Sequence, residues 1–565
     1  MKQTIAFLIA LLALSLGGCQ LFSAKSKAGR AHDTKWSPAD PSIGLSAQDE
    51  QKDGASAASF CPADVDLFVQ INNLKQLRAR ADEDPMVQFA MDQLPGFKWP
   101  QWWFNVQEQL NMDAPTVIDT YFGRSVVVIG RKVKKRIVTM VFTRVEPKWT
   151  DDIATKLEWN PAPASGAFKT WTGGNVLIAI KPGWMMFCEK RYAETVYETL
   201  PQFGTEQNLA CDEQFVKALD LLPTKKGIIV FARNSKKSEV HSAVAVKDQR
   251  NMTIHYVGQI PKFPDLFNKF RDTQGVDFGP LPDTTVWATT VNVFDRDPKY
   301  TELINLMLFP RDYSRDIMPK LTAPIVVFMG QVPSEQLDPS PGVAVPVFGM
   351  AIRMKDPTVA PDLDRMMNAV RVMANISELQ LLKTVFGNKS EEQGENRFHT
   401  ADFGKAISNR VKDEKLSKLV RLPGAAGLMK ISYGPIGNWY VISSQQAFFA
   451  QCIMANANPD QRLTAIDGFD SFGLAPQKDL LLSSVLRADQ LSYLIEQAAE
   501  YWEKHKPLGE VEKTKESDKP INVEDLDKPM RWFSGIVGHH NSFSVQLWRH
   551  EDDTLRGRFR VVRDR

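Results

Sequence analysis

The chain has 565 residues, 43% of them hydrophobic and 24% charged, with a formal net charge of +2. That is the make-up of a folded globular protein, and it is longer than one hydrophobic core serves, about 250–300 residues. The near balance of charge gives a nucleic-acid partner no electrostatic support, and past the first nineteen residues no apolar run reaches the roughly 18 residues of a membrane-spanning helix.

In chain order, Lys2 is followed by an apolar run from Ile5 and then by Leu16-Gly17-Gly18-Cys19. A short basic start, an apolar segment of about a dozen residues and small residues before a cut predict a secretory signal peptide over 1–18. With Cys first after the cut, the stretch resembles a bacterial lipoprotein signal. In that family Leu-small-small-Cys is the lipobox. The resemblance implies that Cys19 is lipidated and holds the chain to a membrane of the cell envelope. Gln20 stands where an Asp commonly marks inner-membrane retention, so the resemblance further implies the outer membrane, facing the periplasm, in a Gram-negative host. Residues 19–59 are poor in large apolar groups and rich in Ala, Ser, Asp, Lys and Gly, which predicts a flexible tether.

After the tether the chain reads as one design used twice, over 60–275 and 276–565. Pro62-Ala63-Asp64 leads into a strand from Leu67, with alternation at Leu67, Val69 and Ile71, as Pro282-Asp283 leads into a strand from Val286. Asp84-Pro85 and Asp297-Pro298 each predict a helix start, since Pro at the first helical position gives up no hydrogen bond. Ser125 to Gly130 and Pro324 to Gly330 open hairpins whose return strands end in Glu146-Pro147 and Asp356-Pro357, a second helix start in each copy. Turns at Lys181-Pro182-Gly183 and at Gly434 to Gly437 precede strands from Trp184 and Trp439. Helices follow near Ala193 and Ala447, the latter with Ser443-Ser444 placed to cap it. Strands over 226–233 and 479–487 and closing hairpins near 241–259 and 532–563 complete both copies. The stretch Glu503–Lys528 is dominated by Lys, Glu, Asp and Pro and predicts an exposed loop. Hairpin-joined strands broken by single helices give an α+β class with largely antiparallel sheets. The Pro-Ala-Asp-strand opening and the strand-then-Ser/Glu-helix segments resemble a family of bacterial envelope proteins known as a domain of unknown function (family 3352), which implies no activity.

No catalytic residue, metal ligand or cofactor site can be nominated from spacing. The eight histidines form no metal-ligand pattern, Gly538-His539-His540-Asn541 reads as a polar turn of the last hairpin, and P-loop, dinucleotide and nucleophile-elbow motifs are missing from the sequence. Cys61, Cys188, Cys211 and Cys452 are open to free thiols or to disulfides. The densest basic run is Arg131, Lys132, Lys134, Lys135 and Arg136. Clustered cations can contact anionic lipid or glycolipid, although a solvated hairpin tip is the plainer reading. The densest aromatic run holds Trp99, Trp102 and Trp103, which exposed could stack on sugars or a membrane interface and buried would be core. The expectation is a lipid-anchored envelope protein acting as a non-enzymatic scaffold or binding module for a protein, lipid or glycan partner. The alternatives are an envelope hydrolase acting on cell-wall material, or a carrier of an apolar ligand in a cleft between the copies.

Overall fold

The computed structural model describes residues 57–72, 108–122, 125–133, 136–150, 153–173, 175–225, 227–234, 236–248, 251–261, 276–292, 305, 308, 310–337, 340–376, 388–393, 396–402, 430–505 and 541–563. Cys19, most of the expected tether, and the expected Asp84-Pro85 and Asp297-Pro298 helix starts lie outside them. At the expected tether's end, Ala57 and Ala58 are already buried in a core, so the folded body begins before residue 60. The chain divides into two units, Met1–Pro261 and Lys262–Arg565. Each mixes helices with a dominant antiparallel sheet.

Unit 1 contains β1 (Leu67–Asn72), β2 (Ser125–Val133), β3 (Arg136–Arg144), β4 (Asn160–Ser165), β5 (Phe168–Gly173), β6 (Val176–Lys181), β7 (Trp184–Glu189), β8 (Ile228–Asn234), β9 (Glu239–Asp248) and β10 (Asn251–Gln259). Their pairings give the order β4-β5-β6-β7-β3-β2-β1-β8-β9-β10. Unit 2 contains β11 (Thr285–Val291), β12 (Leu321–Val332), β13 (Val345–Met354), β14 (Asn388–Gln393), β15 (Asn396–Asp402), β16 (Lys430–Ile436), β17 (Trp439–Ser443), β18 (Leu480–Leu486), β19 (Asn541–Arg549) and β20 (Leu555–Arg563). The order there is β14-β15-β16-β17-β13-β12-β11-β18-β19-β20, strand for strand that of unit 1.

Helices cover both faces of each sheet. In unit 1, α1 (Ala114–Tyr121) packs Val117 and Tyr121 on one face, with Ile153 and Leu157 beside them. On the other face lie α2 (Ala193–Thr199), through Val196, and α3 (Glu213–Asp220), through Phe215, Ala218 and Leu219. Asp212 caps α3 by accepting from the Phe215 N–H at 2.8 Å. In unit 2, α4 (Ala360–Ile376) follows β13 and covers the first face through Leu363. The second face is covered by α5 (Gln446–Ala457), through Phe448, Phe449 and Cys452. Covering on both sides is why the alternation expected in β1 fails: Phe68, Val69 and Gln70 are all buried.

Three further expectations are corrected. α5 is not capped by the serines: its first turn follows Gln445, without a side-chain cap. Ser443 instead bonds locally to Gln445, and Ser444 Oγ accepts from the Phe348 N–H. α6 (Ala488–His505) runs past the expected loop start at Glu503. It carries Leu491 and Leu494 onto Val286, whereas unit 1 joins β8 to β9 by a short turn. The last hairpin, β19–β20, turns between Arg549 and Leu555, so Asn541 opens its first strand rather than its turn.

The same backbone positions are clamped in both units. Arg233 Nη2 donates to the Ala63 carbonyl at 2.7 Å, and Arg487 Nη1 donates to the Asp283 carbonyl, each carbonyl one residue past the entry proline. The backbone N–H of the same arginines bonds Asp66 and Val286. Pro62 bridges to Asn208, and Pro282 to Arg462. Buried Ser242 donates to the Ala218 carbonyl at 3.0 Å, as buried Ser544 does to the Phe472 carbonyl at 2.6 Å. Core volume is exchanged rather than copied. Phe68 faces Ile129, which faces Met140; at the matching places Ala288 faces Phe328, which faces Gly349. A Cβ on Gly349 would come within 2.2 Å of the Phe328 ring, so the small residue is needed there.

Candidate functional site

A largely buried group of titratable side chains lies on the first face of unit 2, between α4 and β15–β17. Asp364 comes from α4, His399 from β15, Tyr433 from β16 and Tyr440 from β17. Cross-strand register brings His399 opposite Tyr433, with ring centroids 5.5 Å apart. Tyr440 donates its hydroxyl to Asp364 Oδ1 at 2.7 Å, and His399 Nε2 lies 3.7 Å from Asp364 Oδ2. The Tyr433 hydroxyl donates to Asn368 Oδ1 at 3.4 Å. His399 Nδ1 is buried and has no hydrogen-bond partner among the described residues. The His399 and Asp364 side chains retain 21% and 23% of their exposure, while Tyr433 and Tyr440 are buried.

Burial holds Asp364 above the usual carboxylate range, against the Tyr440 hydrogen bond and the charges of His399 and Arg397, which pull the other way. Tyr440 is pushed up by burial first, then by the adjoining Asp364. A carboxyl bonded to a phenol, with an imidazole 3.7 Å away, sets proton donors and acceptors side by side where a polar ligand could meet them.

The matching places in unit 1 are apolar. Register from the β6–β7 turn aligns Tyr433 with Ile178, Tyr440 with Met185 and His399 with Trp171. Counting from the acid-Pro helix start aligns Asp364 with Ala154. Ile178, Met185 and Trp171 belong to a hydrophobic cluster. The reverse exchange occurs toward the other end of the sheet. There His241 Nδ1 and the Tyr256 hydroxyl lie 2.8 Å apart in unit 1, where unit 2 pairs Phe543 with Phe559. Burial lowers His241 and so keeps its imidazole neutral.

The residues singled out in the sequence fall elsewhere. Trp99, Trp102, Trp103, Lys134, Lys135, His539 and His540 are outside the described residues. Arg131 and Lys132 lie among the last residues of β2 before the turn, Arg131 half-buried and Lys132 exposed, and Arg136 opens β3. Arg131 donates to Asp64 Oδ2 at 2.5 Å and to Thr199 Oγ1 at 3.0 Å, tying β2 to the entry of β1 and to α2. In unit 2 that tie is uncharged: Gln451 accepts from Thr284 and donates to Gln336. Cys61, Cys188 and Cys452 are buried free thiols and Cys211 an exposed one, so the disulfide reading does not hold. Burial pushes the Cys188 thiol up to about 11, far from a reactive thiolate. Among the described residues no three His, Cys, Asp or Glu side chains converge as a metal site would require, and no helix is long and apolar enough to cross a membrane. No family model, curated protein or solved structure matches the chain.

Sequence reasoning passed over Asp364, His399, Tyr433 and Tyr440 because each is unremarked alone. The signal that could have found them is a comparison of the two units strand by strand: a position apolar in one and polar in the other.

Proposed function

We propose that this chain is a lipid-anchored protein of the bacterial envelope, held through Cys19 at the outer membrane and facing the periplasm. Its body is a tandem duplication of one α+β module, and its role is that of a non-enzymatic binding module or scaffold. The identical strand order and the clamps by Arg233 and Arg487, and by Ser242 and Ser544, support the duplication. The observation that carries the binding role is the exchange of Ala154, Trp171, Ile178 and Met185 for Asp364, His399, Tyr433 and Tyr440 on an unchanged backbone plan. A duplicated module frees one copy to hold the framework while the other takes on ligand chemistry. The partner class is a polar envelope component, a glycan, a lipid headgroup or a protein surface.

A second reading, a hydrolase acting on cell-wall material, has the same Asp364–His399 pair in its favour, since a carboxylate beside an imidazole can orient a general base. His399→Gln separates the two. Abolished turnover of cell-wall fragments by the purified chain supports the hydrolase. Ligand retention without turnover in the wild type supports the binding module.

The anchor has its own test. Cys19→Ala is expected to release the chain from the membrane fraction or to leave it as an uncleaved precursor. An unmodified Cys19 in the wild type, with unchanged fractionation of the variant, overturns the anchor.

A further inference from the structure

On β20, arginine occupies every second position from Arg556 to Arg560, so strand geometry sets Arg556, Arg558 and Arg560 on one face of the sheet. Opposite them on β19 stand Trp548, Gln546 and Ser544. The three arginines are not treated alike. Arg556 is neutralised by Asp552 at 2.8 Å and also donates to Thr554 at 3.0 Å. Arg558 donates to the Gly473 carbonyl at 2.9 Å and lies 6.0 Å from the Trp548 ring centroid. The Arg560 guanidinium rests against Gly473. Arg558 and Arg560 have no carboxylate at ion-pair distance among the described residues, and the Nε of each is buried without a hydrogen-bond partner. Ser544 and Gln546 are occupied in holding the Phe472 and Ala475 backbone over β19.

Two adjoining, partly buried guanidiniums without a counter-charge among the described residues are costly, because each loses hydration and repels the other. Burial first, then the charge of Arg560, holds Arg558 below the ordinary arginine range. On β10 of unit 1 the matching positions are Thr253, His255 and Val257, so the pair belongs to unit 2 alone.

We propose that Arg558 and Arg560 form a seat for a phosphate group. A guanidinium is planar and weakly hydrated, and its N–H fork matches oxyanions. Two such charges call for a dianion: a carboxylate would leave one positive charge over, whereas a phosphate or phosphomonoester near neutral pH balances both. The source is inorganic phosphate or the headgroup of a phosphomonoester lipid, which share this chemistry.

The test uses the full chain carrying Cys19→Ala, so that the lipid anchor does not mask surface binding. It is titrated calorimetrically with inorganic phosphate and sedimented with phosphatidylcholine vesicles, plain or doped with phosphatidic acid. Saturable phosphate binding is expected, weakened on the order of tenfold by Arg560→Gln and further by Arg558→Gln/Arg560→Gln. Arg549→Gln, which removes an arginine already paired with Asp553, is expected to bind as the parent does. Phosphate binding without phosphatidic-acid-dependent sedimentation identifies the free anion as the ligand; both together identify the lipid. Arg560→Lys keeps the charge without the fork and is expected to fall between parent and Gln, which keeps the proposal testable should the Gln variant fold poorly. The proposal is overturned if neither phosphate nor phosphatidic acid binds the parent, or if Arg560→Gln and Arg560→Lys bind as tightly as the parent.

Discussion

The ten described strands of unit 1 and the ten of unit 2 run in one order, yet the units spend their polar groups in different places. Beneath its helical cover unit 1 is apolar at Trp171, Ile178 and Met185, where unit 2 carries His399, Tyr433 and Tyr440. Toward the other end unit 1 holds the His241–Tyr256 pair, where unit 2 is aromatic and apolar. What stays constant is of another kind: a guanidinium on the entry carbonyl, a serine on a helix-end carbonyl, a proline bridge at the start. These bonds satisfy backbone groups that any side-chain pattern would leave unpaired, so they constrain the plan while the faces vary. The comparison teaches that the ladder and its clamps specify this architecture, and that the layers above and below it are free to change in polarity and volume.

The largest effect should come from the volume exchange. Phe328 fills space left by Ala288 and Gly349 and stacks on Phe448 with centroids 5.2 Å apart. Phe328→Ala therefore leaves a hole that two small neighbours cannot close, and an expected loss near the top of the usual range, about 5 kcal/mol. Ile129→Ala, at the matching place between Phe68 and Met140, should cost less, about 3 kcal/mol, because large neighbours can settle into the gap. Urea unfolding of both variants checks the order, and equal losses would break the claim of compensating volumes.

The clamps come next. Arg233 also pairs with Asp212 at 3.1 Å, both side chains being largely buried, while Arg487 meets the half-exposed Asp489 at 3.8 Å. Arg233→Ala should cost about 3 kcal/mol, since it takes the ion pair from a largely buried carboxylate, which is left with its cap bond to Phe215, and leaves a carbonyl unpaired, and Arg487→Ala about 1–2 kcal/mol. A loss confined to one unit's arginine would show that the shared clamp is coincidental.

The smallest effect concerns Asp364. Its folded-state value is raised, so the stability it contributes is full in acid and is lost as pH rises through that value. Asp364→Asn keeps an acceptor for Tyr440 and removes the charge. The thermal midpoint of the variant should match the wild type in acid, where both side chains are neutral, exceed it increasingly as pH rises through the raised folded-state value, and keep a steady lead above it. A gap constant at every pH would mean that Asp364 is not held above its ordinary range.

Much of the plan was legible in the chain. Strand propensity, turns such as Lys181-Pro182-Gly183 and the helix starts at Glu146-Pro147 and Asp356-Pro357 place β1 to β3, β6 to β8 and the corresponding strands of unit 2, because these signals are local. The Asp356 carboxylate does accept from the Thr358 N–H at 3.0 Å beside Pro357. The misses are non-local. That β1 is covered on both faces depends on helices far along the chain, and α6 outlasts its charged tail because Leu491 and Leu494 anchor it on Val286. Arg131 reads as a surface cation until Asp64 and Thr199 are brought to it. The Asp364 group draws on four elements, so no spacing along the sequence could have announced it.

One modest strand has a bearing on how the protein behaves at high concentration. β4 pairs with β5 and carries Pro161 and Pro163, the second of them where the register slips between Ala162 and Ser165, and neither has a backbone N–H to offer a further strand. A neighbouring molecule that tried to extend the sheet there would meet two places without a donor, each leaving its own carbonyl unpaired at a cost of about 1–3 kcal/mol. Replacing both prolines would turn a blunt edge into an adhesive one, and turbidity would register the change before any loss of folded structure.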